Sequence, residues 1–134
     1  MERVIEELRA NNETVPVPLD LPDMDDIIDV EEQILLSLDN EFRQFQLTVS
    51  DVICGTMEPV TVADPNSHTY LPEVAAVAWS LGLSRELIPL CEYRGGYYCT
   101  NEIGEVNYWL DGEMSDEEPW ADVWVWAEHV WLNS

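Results

Sequence analysis

The stretch from Leu87 to Leu110 constrains the fold most. It holds three short apolar runs, LIPLCEY, YYCT and EVNYWL, parted by Gly95-Gly96 and by Asn101 to Gly104. Runs rich in aromatic and β-branched residues and joined by short glycine-bearing turns read as an antiparallel meander. Pro89 lacks an amide hydrogen, so it belongs at the start of its strand or at an edge.

The rest of the chain is punctuated like helices. Val4, Ile5 and Leu8 share one helical face, and Asn11 and Asn12 stop it. Pro16 to Pro22 cannot sustain a helix and reads as an extended linker. Asp29 with Glu32 resembles a capping box, predicting a helix from Val30 to about Leu38 that buries Ile34, Leu35 and Leu38. Asp39 can cap a second helix carrying Phe42, Phe45 and Val49. Val52 to Val62 is extended, broken by Gly55 and Pro59. A polar turn, Asp64 to Ser67, leads to a third helix, Glu73 to Leu81, with Pro72 in its first turn and Gly82 after it. Its apolar face would be Val74, Val77, Ala78 and Leu81. After an acidic loop, Asp111 to Glu118, the positions of Trp120, Val123, Trp124, Ala127 and Trp131 form a helical stripe.

Helices first, strands later and a closing helix predict an α+β fold: an antiparallel sheet meander packed with N-terminal helices and a closing C-terminal helix. The length fits a single domain over residues 1–134, with 1–22 as N-terminal helix and Pro-rich linker.

Charge narrows the function. Asp and Glu number 28 against five Arg and no Lys, for a formal net charge of -23. Such a surface repels phosphate backbones and anionic membranes, and it attracts basic partners. The expectation is a protein partner, with no nucleic acid and no membrane. No leader-like or membrane-spanning run is present, so the expected compartment is the cytosol. Cys54, Cys91 and Cys99 have neither disulfide nor zinc spacing and read as buried thiols.

Catalytic patterns are missing. Counting from Asp23, the sixth and twelfth positions of a calcium loop would be Ile28 and Ile34, where Gly and Glu are required. His68 could join Asp64, and Cys54 or Cys99 could be set beside His68, but no local motif supports either. Gly95-Gly96 has no following Lys or helix to cradle a phosphate, and Arg94 beside it is expected to pair with a carboxylate. No catalytic, metal or cofactor-binding residue is nominated, and no cofactor is expected. For partner binding the candidates are Asp111, Glu113, Asp116, Glu117 and Glu118 in the acidic loop, Tyr97 in the meander, and Trp126. Trp126 lies off the closing stripe and so is expected to be exposed, where tryptophan makes a strong anchor.

The order of elements, together with EEQILLSLDNEFRQF (Glu31 to Phe45) and LGLSRELIPLCEYRGGYYCTNEIGEVNYWLDGE (Leu81 to Glu113), resembles the SUKH superfamily from about Val30 onward. The chain departs from that pattern at Leu38-Asp39, where Leu-Pro is frequent, and by lacking a Gly-Gly or Asn-Gly pair between Phe45 and Gly55. The resemblance implies a non-catalytic module, often an immunity protein that binds and blocks a cognate toxin domain. With this charge the toxin domain would be basic. An acidic DNA mimic and a small hydrolase are the alternatives. The first needs carboxylates spaced like phosphates, the second a nucleophile–base pair.

Overall fold

The computed structural model describes residues 1–134. Four helices come first: α1 (Glu2–Ala10), α2 (Met24–Ile34), α3 (Asn40–Val49) and α4 (Leu71–Ser80). The strands β1 (Ile88–Tyr93), β2 (Gly96–Thr100), β3 (Val106–Leu110) and β4 (Glu113–Met114) follow. They form one antiparallel sheet in the order β1-β2-β3-β4. α5 (Val123–Trp126) closes the chain and continues as a π-helical turn, Ala127–Trp131, in which Leu132 N–H reaches back to Ala127 O at 2.9 Å. The fold is α+β, with helices before the meander and one after it.

Turn chemistry explains the sheet. Arg94 and Gly95 both have positive φ, +48° and +82°, as a two-residue hairpin turn requires. Gly96 is required by a close approach instead. A Cβ there would sit 2.3 Å from Trp109 O and 2.6 Å from the Tyr108 hydroxyl, which donates to Tyr93 O at 2.6 Å. Asp111-Gly112 makes a second turn of the same kind, at +51° and +86°, and it creates β4 inside what the sequence reads as a plain acidic loop. Register shifts between Pro89 and Cys91, so the proline sits beside a bulge, where its missing donor does least harm.

Both faces of the sheet are covered, which is why every residue of β2 is buried. Tyr98 faces the main core. Tyr97 and Cys99 face a smaller cluster with Ala78, Leu83 and Trp109 beneath α4. In the main core Phe45 packs on Trp124 and Trp131, with ring centroids 5.6 Å apart in each case. Trp126 lies 5.5 Å from Tyr98 and 6.3 Å from Trp131. Gln46 is fully buried, yet satisfied: it donates to Val60 O at 2.9 Å and accepts from Val62 N–H at 3.1 Å, pinning this loop to α3.

Several expectations need correction. α2 begins earlier than predicted, because Asp23, the first capping residue after Pro22, forms the capping box with Asp26. The helix therefore ends at Ile34. Ile34 and Leu38 are buried as expected, but Leu35 is 80% exposed in the left-handed region at φ +59°. A leucine there costs roughly 1–2 kcal/mol relative to right-handed backbone. Arg85 covers this helix end by donating to Ile34 O. Val52 to Val62 forms isolated bridges in place of a strand. α4 likewise starts earlier, at Leu71, and turns Leu71, Ala75 and Ala78 inward. The small alanines let it lie close to the sheet, and Val77 and Leu81 are left in solvent. Trp126, expected at the surface, is fully buried. The closing helix is gripped by α3 on one side and by Tyr98 of the sheet on the other, so it has no broad solvent face for Trp126 to occupy.

Candidate protein-binding surface

The acidic loop is displayed by a clamp. Ser115 N–H donates to Tyr108 O at 2.8 Å, and Trp120 exchanges two backbone hydrogen bonds with Val106, at 2.9 and 3.0 Å. Both ends of the loop are thus fastened to β3, leaving Asp116, Glu117 and Glu118 outside the ladder. Asp111 and Glu113, in and after the Asp111-Gly112 turn, adjoin them in sequence. All five carboxylate residues are exposed. No arginine or histidine lies within ion-pairing distance of any of them.

The few cations are mostly spent elsewhere. Arg3 bridges Glu7 and Glu128, at 3.0 and 2.6 Å, and holds the Glu128 carboxyl below its ordinary value through hydrogen bonding and charge. Arg9 pairs with Asp51 at 2.6 Å and Arg43 with Glu31 at 2.8 Å. Arg85 stacks on Trp79, 3.8 Å from the ring centroid. Arg94 does not pair with a carboxylate as predicted; its guanidinium lies over Tyr93 at 5.0 Å. The five exposed loop carboxylates therefore project an uncompensated negative field, which is the condition for steering a cation-rich partner.

The two aromatic anchors named from sequence fall away from this surface. Tyr97 is 4% exposed beneath α4, and Trp126 is wholly inside the main core. Neither can meet a partner in this conformation. The signal that would have placed Tyr97 was the double cover of β2, which no local pattern announces.

Chemistry-bearing side chains are dispersed. The His68 ring nitrogen meets Glu58 at 2.8 Å, both exposed, while Asp64, its expected companion, accepts the Asn66 N–H of its own turn. This pair borders a groove of about 450 Å³ between the linker residues Val15 to Leu19 and the loop from Val52 to Pro59. The thiols of Cys91 and Cys99 donate to backbone carbonyls, and burial pushes each up to about 12. Cys54 is also raised by burial. No three His, Cys, Asp or Glu side chains are grouped to hold a metal ion. No helix is long and apolar enough to cross a membrane.

Sequence reasoning missed one surface. Met24 and Ile28 on α2, with Leu35 just beyond it, are exposed apolar residues bordered by Asp25, Asp29 and Glu32. Moving the cap from Asp29 to Asp23 would have revealed it, since Met24 and Ile28 then become helical neighbours four apart.

A meander sheathed by N-terminal helices and a tryptophan-rich closing helix places the protein in the SUKH class of α+β domains. The chain belongs to the SMI1-KNR4 cell-wall family (SUKH_5), which it matches over residues 1–132. The match includes α1 and the proline-rich linker. A crystal structure of a protein from Pseudomonas syringae pv. tomato is similar over 100% of both chains, at 54% identity and a TM-score of 0.96. No curated protein matches the sequence.

Proposed function

We propose that this chain is a non-catalytic, cytoplasmic binding protein of the immunity type, which neutralises a basic toxin domain by occluding it. The observation that carries this reading is the clamped acidic loop, five exposed carboxylates without a cation among them in a chain of net charge -23. Membership of the family supports it, and so does the scatter of His68 and the buried thiols, which leaves no assembled nucleophile and base.

Long-range attraction acts on encounter more than on lifetime. The loop would speed association, and desolvated contacts elsewhere would slow dissociation. The experiment first reads the flanking genes for a basic toxin domain, whose absence would count against the reading, and then mixes that domain with this chain. Equimolar protein should abolish toxin activity. Replacing Asp116, Glu117 and Glu118 together by their amides should slow association at low salt, with the deficit shrinking as salt rises. Unchanged association at low salt would reduce the loop to a solvating surface. Turnover by the isolated protein that vanishes in His68→Ala or Cys99→Ala would show a hydrolase instead.

A further inference from the structure

We propose that the outer strip of α2, formed by Met24, Ile28 and Leu35, is the anchoring face for a protein partner with an apolar centre and a basic rim. It rests on the binding reading above and adds the contact that holds the complex once the acidic loop has drawn it in.

Helical geometry puts two of the three on one face. At about 100° per residue, Met24 and Ile28 lie roughly 40° apart on the side of α2 away from Val30 and Ile34, and Leu35 follows directly after the last helical residue. Their exposures are 44%, 46% and 80%. Ile28 and Leu35 line one shallow hollow with Leu36, Glu31 and Glu32. The surface is therefore a row of large apolar side chains beside a dent, the shape that a partner side chain can fill.

Leu35 argues that the row has a use. Three non-glycine residues have positive φ. Arg94 and Asp111 open two-residue hairpin turns, where that conformation is required. Leu35 follows a helix, where glycine would serve without strain. The fold keeps a strained backbone there and points a leucine into solvent.

Charge selects the occupant. Asp25, Asp29 and Glu32 flank the row and form no ion pair, while Glu31 is already held by Arg43. Pairing the strip with a second copy of itself would bring these carboxylates together without cations to offset them. A basic partner gains from the same rim.

The test uses a catalytically inactivated form of the basic toxin domain found by the mixing assay above, with Leu35→Gly, Ile28→Ser and the double variant. Leu35→Gly relieves the backbone, so its thermal midpoint should hold or rise. Its affinity should nevertheless fall about tenfold, through faster dissociation. A merely structural leucine would not separate the two readouts that way. Wild-type affinity in the double variant would overturn the proposal. If the toxin fails to bind the wild-type chain, the immunity reading fails first. The strip is then probed with a synthetic amphipathic peptide of leucine and arginine by amide chemical-shift mapping. Shifts clustered over residues 24–36 support it, and shifts confined to residues 111–118 overturn it. A homodimer at high salt that Ile28→Ser dissolves would also overturn it, in favour of self-association.

Discussion

The closing helix and α2 each carry large apolar residues off the stripe that faces the core, and the molecule treats them oppositely. Trp126 is swallowed between α3 and the sheet. Met24 and Ile28, with Leu35 beyond the helix end, stay in solvent. Periodicity alone predicts exposure for Trp126 and burial for Leu35, the reverse of what is found, and it leaves Met24 and Ile28 unassigned. What decides is how many sides of the helix the topology covers: nearly all of the closing helix, one side of α2. An off-stripe residue on a wrapped helix is core, and on a half-covered helix it is surface that has to be explained.

Truncations should break this symmetry most. Trp126→Ala should cost roughly 3–5 kcal/mol in denaturant unfolding, as for other fully buried aromatics. Ile28→Ala on α2 should change stability by less than about 0.5 kcal/mol. Equal losses would show that α2's outer face is covered by something the fold does not reveal.

A conservative exchange sharpens the comparison within the closing helix. Trp131 Nε1 donates to Cys54 O at 3.1 Å, whereas Trp126 Nε1 is buried without a partner. Trp131→Phe should therefore be more destabilising than Trp126→Phe by about 1 kcal/mol, since it leaves a buried carbonyl unpaired. The reverse order in chemical denaturation would mean that Trp126 has a partner after all.

The smallest effect concerns the helix that grips the closing one. Asp39 caps α3, accepting from Glu41 and Phe42 N–H at 3.1 Å each, and burial raises its carboxyl above the ordinary value. The folded state thus holds this proton more tightly than the unfolded state. Its contribution is greatest below the unfolded value and is lost as pH rises through the folded one. Asp39→Asn keeps a capping oxygen and removes the titration. Relative to wild type it should gain stability toward neutral pH, and that gain should vanish in acid. A gain unchanged between pH 3 and 7, on the order of the usual carboxylate range and above, would contradict the raised value.

These contrasts also mark what was legible in the sequence. The meander was readable because glycine turns and aromatic runs are local, and Asp39 was readable because a cap needs only its next three residues. Asp111-Gly112 held a second hairpin signal that its acidic surroundings masked. The start of α2 was misplaced because Asp23 and Asp29 both satisfy capping chemistry, and the choice between them fell to Pro22 and to packing. The burial of Tyr97 and Trp126 depends on contacts between distant segments, such as Trp131 with Cys54, which periodicity cannot express. For the candidate surface, the acidic loop was visible as composition. The α2 strip was hidden by the misplaced cap.

Hydrogen exchange on the chain alone and in a 1:1 complex with the inactivated toxin domain reads every surface of the molecule at once. New protection is expected on α2 around Ile28 and at Leu35, with weaker and salt-sensitive protection at Asp116 to Glu118. The buried amides around Trp126 should change little. Protection confined to the groove between Val15 and Pro59, with α2 and the acidic loop unaltered, would contradict it.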